Sequence, residues 1–337
     1  MSQGRFLVLL AAALLAIGGA FYLSTQRYLP RDPRGARLFP GLAVKLDSVS
    51  AVSVGPHSGA LLVTLHKSGG RWTVAQREDY PADMSKLRKL LLALGDAALI
   101  EEKTSNPANY AQIGVGPGGT EVRISAPDGE RAVIIGKPFG SGDFARRPSE
   151  AKSYLIEPAV TIETDPRRWI DPHLPDVAAG EIQRLEVAPA AGPAYALHRI
   201  GADGFALEAV PAHRTPLDAK ALAPAADTYQ GLVAEDVVAA ASLPAAGADV
   251  KTSTATLTLG GNSRLVLIGT ASGEKRWLQL QNAQDAPLTA RTRGRAFEIP
   301  AYRYDAIFRP LEQLLVPPPS RQSAGSTGSK PSLKPDP

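Results

Sequence analysis

Gly114-Val-Gly-Pro-Gly-Gly119 fits the spacing G-x-G-x-x-G, by which a glycine-rich turn cradles a pyrophosphate at a helix N-terminus. That chemistry needs a strand before the glycines and a helix after them. Here Tyr110-Ala-Gln-Ile precedes, Pro117 sits inside, and a strand-like Glu121–Ser125 follows, so the stretch reads as a turn. The five histidines are His57, His66, His173, His198 and His213. None forms H-E-x-x-H or an i,i+4 pair, and no carboxylate cluster joins them at ligand spacing. His66 and His198 stand 132 residues apart at equivalent strand positions, which suits the surface of a strand. A serine nucleophile wants a G-x-S-x-G elbow. Gly55-Pro-His-Ser-Gly59 comes closest, with histidine in the wrong place, and Gly140-Ser-Gly142 reads as a loop. A triad drawn from distant residues stays open. Arg291, Arg293 and Arg295 alternate, so in a strand they would share one face and could contact an anion. A solvated edge kept basic against strand-to-strand association explains the same three residues, as it does Arg146-Arg147 and Arg167-Arg168. Trp72 and Trp277 each follow a turn as Arg-Trp and suit hairpin packing.

Composition narrows the classes. The 337 residues exceed the usual single core, so two domains are expected. The net charge of +4 is too mild to imply nucleic acid. There is no cysteine, which removes disulfides, thiolate metal sites and cysteine nucleophiles.

Phe6–Leu23 is an uncharged run of 18 residues after Arg5, near the lower limit for a helix that spans a bilayer. It is expected to be a transmembrane anchor. A cleaved signal peptide is the competitor, with Gly18-Gly19-Ala20 as small residues for cleavage. Arg27, Arg31, Arg34 and Arg37 follow the run, although positive residues favour the inside. The body is nevertheless expected outside the cytoplasm.

The elements that would carry any site come as a duplicated pattern. Leu61, Val63, Leu65, Trp72 and Val74 alternate as strands, with Gly69-Gly70 as the hairpin turn. After Pro81, with Asp83 as N-cap and Gly95 as stop, Leu87, Leu90, Leu91 and Leu94 form one helical stripe. Val49, Trp72 and Gly136 recur 133 residues later as Ile182, Phe205 and Gly269. Pro81, Asp83 and Leu94 recur after 135 as Pro216, Asp218 and Tyr229. A steady offset through strand, helix and strand indicates an internal repeat. Pro224 should kink or delay the second helix. Helix-like segments are expected at Val160–Ile170 and Tyr304–Leu315. Strands, one helix and more strands, with hairpin-length gaps, predict an α+β fold of mostly antiparallel sheets.

A hairpin ending Gly70-Arg71-Trp72, a Pro81-Ala82-Asp83 turn into the leucine helix and the segment Tyr110, Ile113, Gly114, Val115, Pro117 follow in order. Strand-turn-strand to Ile135-Gly136 and then Tyr154-Leu-Ile complete the pattern. This resembles the bacterial domain-of-unknown-function 4340 family over about Val44 to Leu315, although the second copy lacks the Tyr…Gly…Pro segment. The resemblance implies an N-terminal membrane segment and genes for gliding-motility-type ABC transporter subunits nearby. It supplies no catalytic residues.

The expectation is therefore an anchor (1–25), a linker (26–43), two tandem α+β repeats (44–178 and 179–316), each a sheet packed by one main helix, and a disordered tail (317–337). No catalytic, cofactor or metal residue is expected, and Arg291, Arg293 and Arg295 are the candidate anion surface. The chain is expected in the bacterial inner membrane through Phe6–Leu23, with its body in the periplasm, as a non-enzymatic accessory of ABC transporter subunits. The alternative is a stand-alone binder of an anionic envelope polymer or lipid headgroup.

Overall fold

A computed structural model describes residues 35–202, 204–245, 247, 250–282 and 285–317. The expected anchor at Phe6–Leu23 and nearly all of the expected tail lie outside these residues. Among the described residues no helix is long and apolar enough to cross a membrane. The strands form two antiparallel sheets, of nine and eight strands, with a few short helices, an α+β architecture. The chain divides into two compact units, residues 1–62 with 85–164, and residues 63–84 with 165–337.

In the first unit the strands are β1 (Ala51–Pro56), β5 (Ala98–Glu102), β6 (Thr120–Ala126), β7 (Gly129–Phe139), β8 (Gly142–Arg146) and β9 (Ser153–Glu157). They neighbour one another in the order β1-β6-β7-β8-β9-β5. Alternation puts Val52, Val54, Val122, Ile124 and Val133 into the core, all fully buried. Helix α1 (Met84–Asp96) buries Leu87, Leu90, Leu91 and Leu94, and Leu92 off the stripe is 37% exposed. Gly95 does not stop this helix, which runs on to Asp96. Its missing side chain serves close approach instead, since a Cβ there would lie 2.9 Å from the Ala43 amide nitrogen. A one-turn helix, α2, follows at Tyr110–Ile113.

The second unit begins with β2 (Val63–Ser68), β3 (Arg71–Val74) and β4 (Tyr80–Pro81). Gly69 and Gly70 turn β2 into β3 at φ 57° and 81°, the left-handed region that glycine enters without strain. Its eight-stranded sheet has the order β12-β11-β10-β14-β15-β16-β17-β13. These strands are β10 (Ile182–Ala188), β11 (Tyr195–Ile200), β12 (Gly204–Leu207), β13 (Asp236–Ala239), β14 (Val250–Leu259), β15 (Arg264–Ser272), β16 (Lys275–Gln281) and β17 (Arg295–Glu298). The run β10-β14-β15-β16-β17-β13 repeats, element for element, the order β1-β6-β7-β8-β9-β5 of the first unit.

The helix expected after Pro216 is broken in two. Short turns α3 (Ala219–Leu222) and α4 (Pro224–Asp227) meet where Pro224 can donate no backbone hydrogen bond. Asp218 caps α3 by accepting from the Ala221 amide at 2.9 Å. The stripe Leu222, Ala225, Ala226 and Tyr229 is still buried. Two expectations are corrected. Val160–Ile170 holds no α-helix but a short 3-10 turn, Pro166–Trp169, after a β-branched run that disfavours helix. Tyr304–Leu315 is not continuous. It contains the end of a helix, Ala301–Ile307, then Pro310 and a 3-10 turn at Leu311–Leu314.

Candidate functional site

The glycine-rich stretch is a turn that closes on a strand. Tyr110–Ile113 forms one helical turn that ends at Gly114, φ 77°. The Val115 amide donates to Tyr110 O at 3.0 Å and the Gly119 amide to Gly116 O at 2.9 Å. A Cβ on Gly119 would fall 2.4 Å from Gly114 O, and one on Gly136 would fall 2.2 Å from Ile113 O, so both glycines permit backbone-to-backbone approach. Strand β6 follows rather than a helix, so no helix N-terminus faces the glycines. Val115, Tyr110 and Ile134 bury one another beneath the turn.

The histidines are scattered. His66 Nε2 lies 3.4 Å from Asp79 Oδ1 and 3.3 Å from Thr73 Oγ1. His173 Nδ1 donates to Asp171 Oδ1 at 2.9 Å. His198 sits on β11 opposite Arg184. Among the described residues no three histidines and carboxylates lie close enough to hold a metal ion. The Gly55–Gly59 loop is not an elbow. Its His57 and Ser58 amides donate to Gly119 O and Pro117 O at 2.8 and 3.0 Å, which ties it to the glycine turn.

The arginine trio does not form the shared strand face expected of it. Arg291 closes a helix, α5 (Ala286–Thr292), Arg293 follows it, and Arg295 opens β17 after Gly294 at φ 71°. Asp285 caps α5 by accepting from the Leu288 amide at 2.9 Å, and Pro287 stands in its first turn. Arg293 is exposed beside a small hollow of about 270 Å³. Arg291 and Arg295, four residues apart in the chain, border a separate cleft of about 550 Å³ with His66, Arg71 and Asp79, all within the second unit. Their donors are largely taken by the protein. Arg291 donates through Nε to the Tyr80 hydroxyl at 2.8 Å and through one amino group to Asp171 at 2.9 Å and His173 O at 2.5 Å. Arg295 donates to Arg291 O at 3.0 Å and Glu78 O at 2.6 Å, leaving its buried Nε without a partner. Both guanidinium groups lie over the Tyr80 ring, at 5.2 and 5.8 Å. Burial pushes the Tyr80 phenol up, and Arg291 pulls it partly back. These arginines act as staples first.

The first unit holds a cluster that the sequence reading missed. Glu121 on β6 is 5% exposed. It accepts from Arg123 Nε at 2.6 Å and from His57 Nδ1 at 2.6 Å. Burial alone would raise its carboxyl, but the hydrogen bonds from Arg123 and His57 prevail and hold it below the usual carboxylate range. The three residues line a cleft of about 680 Å³ with Arg131, Arg147 and Ser149. The available signal was Glu-x-Arg on a two-residue period. Nothing in the sequence placed a histidine from 64 positions earlier beside it.

A family model described as a domain of unknown function (DUF4340) matches residues 72–275, more than half of the chain. The chain belongs to that family. The matched span of this DUF4340 chain runs from the Arg71-Trp72 hairpin to the start of β16, so it takes in α1, the glycine turn and the His57 partner Glu121. Neither a curated protein nor a solved structure matches the chain.

Proposed function

We propose that this protein is a non-enzymatic accessory or scaffold subunit of an ABC-transporter-like envelope complex. Phe6–Leu23 holds it in the bacterial inner membrane with its body in the periplasm. We further propose that residues 44–178 and 179–316 are tandem copies of one unit, a sheet accompanied by the helix α1 in the first copy and by the two short turns α3 and α4 in the second. The matching strand order of the two sheets supports the duplication.

The observation that carries the non-enzymatic reading is where the charged side chains go. The lowered carboxyls of Asp165 and Glu208 owe their shifts first to ordinary pairing with Arg167 and Arg184. The cleft arginines Arg291 and Arg295 bind backbone carbonyls, a carboxylate and a phenol of the protein itself. A catalytic acid or base needs its shift aimed at a reacting group. The transporter association rests on family membership and on the gene neighbours that the resemblance implies. A substitution scan scored for function, folding and complex formation tests the reading. Losses should map to the leucine stripe, the anchor and one contact surface. A single exposed polar change that abolishes function, with folding and the complex intact, would replace it with an enzymatic one.

The second reading, a stand-alone binder of an anionic envelope polymer or lipid headgroup, draws on His66, Arg71, Arg291 and Arg295 around one cleft with a lone Asp79. Recovery of the protein from detergent without transporter subunits would favour it.

A further inference from the structure

The His57–Glu121–Arg123 cluster has no part in the reading above. Antiparallel pairing sets Gly55 of β1 opposite Glu121 and Ser53 opposite Arg123, so one face of the sheet presents the cluster. Both oxygens of the Glu121 carboxylate are engaged: one accepts from Arg123 Nε, the other from His57 Nδ1. A carboxylate can only accept, so His57 Nδ1 carries the proton. In the neutral ring Nε2 then offers a lone pair to whatever enters the cleft. Arg123 is pinned through Nε, and its two terminal amino groups donate to no other described residue. The neighbouring arginines are engaged otherwise, Arg131 with both oxygens of Asp128 and Arg147 with Glu150 and Leu38 O. Their charges are thereby largely balanced, and Glu130 also lines the cleft and acts on Arg123, so the Arg123 fork is the cationic donor left for a ligand.

The second sheet supplies an internal comparison. Its corresponding strand pairs are Ala188 with Thr254 and Glu186 with Thr256. Threonines thus stand where the first unit carries Glu121 and Arg123, and Ala190 stands at the place of His57. The architecture closes without the cluster. A buried carboxylate is also a poor device for stability, because desolvation offsets much of what its partners return. The cluster holds an imidazole and a guanidinium fork in fixed positions.

We propose that this cleft binds a small hydroxylated oxyanion, with its phosphate or carboxylate group on the Arg123 fork and a neighbouring hydroxyl donating to His57 Nε2. Glu121 touches no ligand in this arrangement and acts as the positioning residue for both. A planar fork pairs with two oxygens of one anionic group, which is why arginine suits this role. Free polyol phosphates and sugar acids have this chemistry, and so do the glycerophosphate headgroups of lipids. The site lies within the first unit and goes beyond the scaffold reading, so its failure would leave that reading standing.

The test is calorimetric titration of the full-length protein in detergent with sn-glycerol 3-phosphate. Saturable one-site binding is expected, weakened by about tenfold or more in Arg123→Gln. Ser149→Trp, at an exposed position on the cleft wall outside the three-residue cluster, should block the cleft and weaken binding as much. It carries the test if Arg123→Gln fails to fold by thermal melting. Glycerophosphoglycerol, the deacylated headgroup, distinguishes the sources: equal binding supports a lipid headgroup, and its exclusion supports a free monoester. Absence of saturable binding, or binding unchanged in both variants, overturns the site. Inorganic phosphate bound as tightly as the glycerol ester overturns the hydroxyl contact to His57.

Discussion

Arg77 and Asp236 form a largely buried pair in the second unit, Nε to Oδ1 at 2.5 Å, and Asp236 also accepts from its neighbouring Val237 amide at 2.8 Å. Removing one partner strands the other charge in a poorly solvated place, so Arg77→Met should destabilise the protein by about 3 kcal/mol in urea unfolding. Asp236→Asn with Arg77→Met should recover part of that loss. Titration gives a second test at this scale. Glu121, Asp165 and Glu208 all lie below the usual carboxylate range, Glu121 against its own burial and the other two through Arg167 and Arg184. A lowered carboxyl contributes stability that is present above its unfolded pKa, about 4, and lost as pH falls through the folded value. The melting temperature should therefore fall below about pH 4, less steeply in Glu121→Gln. Burial pushes the Tyr195 phenol the other way, up to about 12. Its contribution is present below the unfolded value of about 10 and is lost as pH rises through the folded one. Tyr195→Phe should flatten the alkaline limb of the same curve.

Elements were legible where one period governed them. The leucine stripe, the Gly69-Gly70 hairpin and the break at Pro224 all follow from local rules, and the structure has them. Leu90→Ala should cost about 2–5 kcal/mol by thermal or urea unfolding. Leu92→Ala, off the buried stripe, should change stability by less than about 0.5 kcal/mol. The arginine trio shows where a period misleads. Arg291, Arg293 and Arg295 alternate, yet Asp285 and Pro287 upstream carry the marks of a helix start, so Arg291 belongs to a helix and Arg295 to a strand. Gly95 likewise suggests a helix stop by residue type, while its actual role depends on a backbone from about fifty residues away. The Glu121 cluster was illegible for the same reason, because its partner His57 arrives through strand pairing. Gly136 and Gly269 stand out in the sequence by their equal offset of 133, which says nothing of their purpose. A Cβ on Gly269 would lie 2.2 Å from the Phe308 ring, so Gly269→Ala should cost about 1–3 kcal/mol unless that ring moves.

At the scale of the whole molecule, the proposed arrangement is two tandem α+β copies held by a membrane anchor at Phe6–Leu23. Protease added to spheroplasts should degrade the body, and full protection would contradict its periplasmic placement. A mature N-terminus at Phe21 would mean cleavage in place of anchoring. The central claim is that the body serves as a subunit of a transporter-like complex. Purification of the full-length protein from its own membranes in mild detergent tests this most directly. Co-elution with the ATPase and permease subunits of one ABC transporter, in a fixed ratio, is the result the account predicts. Elution of the protein alone, with the transporter recovered intact in a separate fraction, would contradict it.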